Sequence, residues 1–173
     1  LDAFAFMRYF VINSSKESQK GETIEVEPFK LSTQTENEPS EFEIIFVHKN
    51  VLYRYGFEAT TERIVSEWLY HKPKTKEVEL FYREGNTFNT HERSFTKGNT
   101  VVKEGLVRDN ALLISVAAQF NEKTAINVLD WFKRLKTLSG LNESGYQGYT
   151  MGRTEDPEHK IKILELLKAA DLG

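Results

Sequence analysis

The stretch Glu41-Phe42-Glu43-Ile44-Ile45-Phe46-Val47-His48-Lys49-Asn50-Val51-Leu52-Tyr53-Arg54-Tyr55-Gly56-Phe57-Glu58 decides the fold. Phe42, Ile44 and Phe46 recur at the period of two that places alternate side chains on one face of a strand. Lys49-Asn50 makes a short turn, after which Val51, Tyr53, Tyr55 and Phe57 line one face of a second strand, with Leu52, Arg54 and Glu58 opposite. Further on, Thr60-Thr61-Glu62 turns the chain, and Ile64, Ser66, Trp68 and Tyr70 are expected on one face of a third strand. Pro73 to Lys76 is another turn, and Val78, Leu80 and Tyr82 mark a fourth strand. Glu84-Gly85-Asn86 reads as a tight hairpin leading into a short fifth strand, Thr87 to Thr90. Turns this short connect antiparallel neighbours, because parallel pairs need long crossovers. Residues 41–95 therefore read as an antiparallel meander of about five strands.

The flanks are helical. Before the sheet, Leu1, Phe4, Met7 or Arg8, and Val11 recur at helical spacing over residues 1–13, with aromatic residues all round. Asn13 to Gly21 reads as a solvated loop, and Glu22 to Ser40 as irregular chain punctuated by Pro28 and Pro39. After Asn110 the period returns to helical. Leu112, Leu113, Val116, Ala117 and Phe120 form one stripe, with Asp109 or Asn110 as the N-cap. Ala125, Val128, Leu129, Phe132 and Leu135 form a second, closed by Ser139-Gly140. Residues 141–155, with Gly145, Gly148 and Gly152, read as a loop. Asp156-Pro157 then starts a helix carrying Ile161, Leu164, Leu167 and Ala170. The class is α+β: one domain with a helix at 1–13, the sheet at 41–95 and a helical region at 110–173.

The composition narrows the function. Lys plus Arg total 23 against 26 Asp plus Glu, a net charge of -3, which excludes capture of nucleic acid by the field of the whole domain. No cysteine is present, so disulfides, thiolate zinc sites and cysteine nucleophiles are excluded. No stretch approaches the roughly 20 apolar residues of a bilayer helix, and the expected location is the cytoplasm. His48, His71, His91 and His159 have no metal-ligand spacing and read as surface or strand-end residues. No G-x-S-x-G elbow is present, and Glu67 and Glu79 lie within strands where spacing alone does not pair them. Gly145 to Arg153 lacks the G-K-[ST] ending of a phosphate loop and reads as a flexible connection. Lys72, Lys74 and Lys76 place three positive charges on one turn. They read first as a solvated hairpin tip, and second as a contact to a nucleic-acid backbone. Tyr53, Tyr55 and Phe57, with Trp68 and Tyr70 beside them, read first as a core face under the helices. Their second reading is a surface that stacks bases.

Three stretches in this order resemble a known family: Leu1 to Arg8; Pro39 to Phe46 followed by Tyr53 to Glu58; and Ile64 to Tyr70 with Leu80 to Arg83. They resemble the AAA/ABC-like ATP-binding proteins of bacterial abortive-infection and related phage-defence systems. Asn110 to Asn121, Asp130-Trp131-Phe132 and Leu166 to Gly173 are similar to that family's middle region. The resemblance implies that a phosphate loop, G-x-x-x-x-G-K-[ST], directly precedes the helix at Leu1, and that the signature segment and the acidic Mg²⁺-supporting strand follow Gly173. None of these is in the 173 residues. The expectation is an interior piece of an ATPase head, inactive alone, whose parent takes ATP and Mg²⁺ and closes as a nucleotide-sandwiched homodimer. The resemblance also implies a nuclease or effector partner, and offers Gln119 as the counterpart of the family's nucleotide-sensing glutamine.

The competing reading is a stand-alone α+β module that binds a protein or a single-stranded nucleic acid. A metal- or histidine-dependent hydrolase ranks third.

Overall fold

The computed structural model describes residues 2–27, 38–136 and 147–171. The chain divides into two compact units, Leu1–Leu135 and Lys136–Gly173. The first holds α1 (Asp2–Asn13), β1 (Ser40–His48), β2 (Val51–Ala59), β3 (Ile64–Lys72), β4 (Val78–Glu84), β5 (Thr87–Thr90), α2 (Thr96–Lys103), α3 (Leu113–Gln119) and α4 (Lys123–Arg134). The strands form one antiparallel sheet in sequence order, β1-β2-β3-β4-β5, as their alternation and short turns require. At the β1–β2 turn, Lys49 and Asn50 have φ of 50° and 61°. Two consecutive left-handed residues match the twist of a two-residue hairpin.

β1 and β2 pair without interruption from Ser40↔Ala59 to His48↔Val51. The β2–β3 ladder carries an irregularity. Glu58 faces Ser66 but Ala59 faces Ile64, which leaves Val65 as an extra residue. One inserted residue reverses the parity of everything beyond it. Ile64 therefore shares the core face with Glu67 and Leu69, whereas Trp68 and Tyr70 turn to the outer face beside Gly56 and Arg54. The expectation that Ile64, Trp68 and Tyr70 share a face is corrected by this bulge. A second shift, between Leu69 and Tyr70, pairs Leu69 with Phe81 and Tyr70 with Glu79. Phe81 and Arg83 consequently point into the core, and Tyr82 lies outside.

Tyr53, Tyr55 and Phe57 are core, as their first reading has it. Phe10 of α1 lies 5.6 Å from the Phe57 ring, and Phe132 of α4 meets Tyr55 edge-on at 6.1 Å. Trp131 stacks on Phe46 at 4.1 Å. These helices close the sheet's inner face, so no base stacks there. α1 buries Met7, Phe10 and Val11 and leaves Phe4 and Tyr9 exposed.

Helix α2 forms over residues that carry no clear apolar period, with Gly98 under the Phe95 ring, where a Cβ has no room. Helix α4 ends at Arg134, because Leu135 is already extended at φ -62° and ψ 126°. It is therefore not closed by Ser139-Gly140, which lie outside the described residues.

In the second unit, α5 (Gln147–Arg153) is a short helix where a loop was expected. Asp156 caps α6 (Pro157–Ala169), accepting from the Glu158 N–H at 2.9 Å, with Pro157 in the first turn.

Candidate functional site

The densest polar chemistry in the first unit is buried beneath the sheet's inner face. Glu67 on β3 and Arg83 on β4 are cross-strand partners, and both side chains are fully buried. Glu67 Oε2 accepts from the Leu113 N–H at 2.6 Å, and Oε1 accepts from Ile114 N–H at 3.0 Å and Tyr55 O–H at 3.1 Å. A carboxylate here does the work of an N-cap for α3, whose own cap residue, Leu112, has no side-chain acceptor. Asp109 and Asn110, the expected caps, lie upstream of that position.

Arg83 binds the adjoining loop. Its Nη1 donates to Ala111 O at 2.7 Å, Nη2 to Arg108 O at 3.2 Å and Asp109 O at 3.4 Å, and Nε to Gly85 O at 2.7 Å. Its Nη1 lies 3.9 Å from Glu67 Oε2. Burial raises the Glu67 carboxyl above its usual range, opposed by the Arg83 charge and the N–H donors. Burial likewise lowers Arg83, with Glu67 opposing, and pushes the Tyr55 phenol well up.

The loop is tied to α1 as well. Arg108 Nη2 donates to Ser14 O at 3.3 Å, and Ser14 Oγ accepts from the Leu112 N–H at 3.3 Å. Buried Asn110 donates to Gln19 O at 2.6 Å and Glu22 O at 3.0 Å. The expected solvated loop after Asn13 is thus partly pinned.

A second buried carboxylate, Glu122, serves two helices at once. Its Oε2 accepts from the Lys97 N–H of α2 at 2.8 Å, and its Oε1 from the Thr124 N–H of α4 at 3.3 Å. The N-termini of α2, α3, α4 and α6 are therefore all engaged by the chain's own carboxylates, leaving none of these four free for a phosphate. Among the described residues no three His, Cys, Asp or Glu side chains converge as a metal set. These residues do not fit Mg²⁺-nucleotide.

The residues singled out from the sequence are scattered. Lys72 ends β3, and Lys74 and Lys76 follow on the turn, all exposed. Lys76 shares an open groove with Glu77, Glu79 and Glu92 as well as His91 and Arg93, so the turn does not continue into a uniformly basic surface. Gln119 is the exposed last residue of α3, beside a shallow cavity it shares with Ser115, Lys16 and Lys133. Lys16 lies just past the C-terminal end of α1, a helix of 12 residues and hence about 18 Å long. The phosphate loop implied by the resemblance would sit at the opposite end, so this placement lends no support to a nucleotide-sensing role.

His48 Nε2 lies 3.1 Å from Asp130 Oδ2, joining the β1–β2 turn to α4. Sequence reading missed Glu67, Arg83 and Glu122 as a group. The available signal was a charged residue at an inward position of an otherwise apolar strand, and the two bulges concealed it.

Over residues 1–170 the chain matches the family model described as "AAA domain, putative AbiEii toxin, Type IV TA system". No curated protein and no solved structure matches it significantly.

Proposed function

The chain belongs to this P-loop ATPase-like abortive-infection family, and on that premise we propose that it is the sheet-and-helix part of an ATP-hydrolysing head acting in antiphage defence. The observation that carries the reading is the family match over residues 1–170, nearly the whole chain. The occupied helix N-termini agree with a division of labour. This part supplies a rigid platform, and the phosphates are held by a loop that leads into α1. ATP and Mg²⁺ would supply the phosphoryl-transfer chemistry of the whole head. Residues 1–173 would support that chemistry by fixing α1, through Arg108 and Ser14, against the loop that starts α3. Taken alone, the 173 residues are proposed to be inactive, since the phosphate-loop Lys and its Ser or Thr are not among them.

In the parent protein, two heads would close on nucleotide in the cytoplasm and signal to a nuclease or effector. The binding-module reading loses its base-stacking face to the core and keeps only the turn of Lys72, Lys74 and Lys76.

The test is to read the coding DNA for about 50 codons upstream of Leu1, one strand–loop–helix unit with margin. An in-frame G-x-x-x-x-G-K-[ST] within a few residues of Leu1, whose Lys→Ala variant abolishes ATP hydrolysis by the full protein, supports the proposal. A start codon just before Leu1 with no such loop sinks it.

A further inference from the structure

These residues grip α1 by the end that lies away from the implied phosphate loop. Asp2, Ala3, Phe4 and Ala5 are exposed, and burial starts at Met7. Arg8 Nε then donates to Phe132 O at 3.1 Å, near the end of α4. Just past Asn13 the bonds concentrate. Arg108 Nη2 donates to Ser14 O and Ser15 O at 3.3 and 3.5 Å. The Ser15 N–H donates to Ser115 Oγ at 3.3 Å, and that hydroxyl donates to Ser15 Oγ at 2.7 Å.

The grip is itself tied to the sheet. Arg83 on β4 holds the carbonyls of residues 108, 109 and 111, which fixes the backbone that carries Arg108. Two guanidinium groups thus act in series: Arg83 joins the loop to the sheet, and Arg108 joins α1 to the loop. A planar fork of donors suits both places, because each must reach more than one carbonyl. Arg108 also brings a positive charge to the carbonyl end of α1, where the helix dipole favours one. The last turn of α1 has no basic residue of its own.

We propose that Arg108 is a positioning residue: through α1 it sets where the phosphate loop stands relative to the sheet. The inference rests on the ATPase reading and concerns how the loop is aimed, not whether it exists. A helix is stiff along its axis, and α1 has 12 residues. A tilt of about 5° at the Arg108 end therefore moves the other end by about 1.6 Å, given a rise of about 1.5 Å per residue. A misplacement of about 1 Å caused by a distant change can cost about a hundredfold in rate. The lever turns a small loosening at Ser14 into a displacement of that size.

The experiment uses the full-length parent protein. Without nucleotide, Arg108→Met is expected to speed amide hydrogen exchange over Met7–Ser14 about tenfold and to leave β2 and β3 unchanged. In steady-state ATP hydrolysis it is expected to lower kcat about tenfold with KM nearly constant, the signature of lost alignment rather than lost binding. Arg108→Lys, which keeps the charge, should recover most of both effects. Thr90→Val deletes a side-chain bond to Asn99 on the β5–α2 side and should leave kcat unchanged. Ser115→Ala loosens the same end of α1 more mildly, should lower kcat by less, and carries the test if Arg108→Met does not fold. Parent-like kcat in the Arg108 and Ser115 variants, or parent-like exchange in α1, overturns the proposal while the ATPase reading stands. So does an equal loss of kcat in Thr90→Val, which traces the effect to stability alone. A phosphate-loop Lys→Ala variant that hydrolyses ATP at the parent's rate overturns the ATPase reading, and this inference with it.

Discussion

The Glu67 carboxylate on β3 accepts the Leu113 backbone N–H at 2.6 Å, across 46 residues of sequence. A strand residue thereby supplies the cap that a helix lacks locally, and the sheet and the α3 layer become one cooperative structure. Arg83 completes it by holding the carbonyls of residues 108, 109 and 111.

Removing that carboxylate is expected to be severe. Glu67→Ala strands two helix N–H groups and leaves the Arg83 guanidinium buried without its counter-charge, at a cost of about 3–5 kcal/mol. Tyr55→Phe removes only the phenol donor to Glu67 and is expected to cost about 1 kcal/mol. Urea denaturation of the two variants measures both. Equal losses would show that Glu67 acts through Tyr55 alone.

On the outer face the Trp68 ring packs directly over the Gly56 backbone. A Cβ there would meet the Trp68 ring and lie 2.7 Å from the Phe42 carbonyl oxygen, which cannot move without breaking the β1–β2 ladder. Gly56→Ala is expected to destabilise by about 1–3 kcal/mol despite the better strand propensity of alanine. A thermal melt unchanged from the parent chain would contradict the close approach.

Desolvation lowers His71 from its usual 6.5, and the charge of nearby His91 lowers it further. The folded state therefore binds this proton less readily than the unfolded chain. Stability from His71 is fully present above pH 6.5 and declines as pH falls below it toward the folded-state value. An NMR titration of His71 with a midpoint below 6.5 is the expected result, and His71→Asn should flatten that part of the stability profile. A midpoint above 6.5 would reverse the sign.

In the second unit, Asp156→Ala removes the acceptor for the Glu158 N–H and is expected to lower the temperature at which α6 melts. Asp156→Ser should restore most of the loss. The far-ultraviolet helix signal of both variants, followed on heating, distinguishes capping from a mere charge effect.

The turn of Lys72, Lys74 and Lys76 is expected to bind single-stranded oligonucleotide weakly at most, given the carboxylates of Glu77, Glu79 and Glu92 around Lys76. Any binding at low salt should vanish by physiological salt, and replacing all three lysines with alanine should flatten that salt slope. Tight binding that persists in high salt would point to a recognition surface elsewhere.

Strand existence, order and turns were legible in the amino-acid sequence, because period-two alternation and turns of two to five residues are local properties of the chain. Asp156-Pro157 was legible for the same reason: its cap and its donor lie two residues apart. The family resemblance, too, rested on the order of words along the chain, and the match over residues 1–170 bears it out. Only the tertiary structure decided which face Trp68 and Tyr70 occupy. A single extra residue at Val65 reverses parity, and whether an extra residue is accommodated depends on the partner strand. The same register places Glu67 opposite Arg83 and beneath Leu113, where burial makes an otherwise ordinary carboxylate the cap of a distant helix. A capping bond made within one turn is written in the sequence. One made across the core exists only once the strands have found their register.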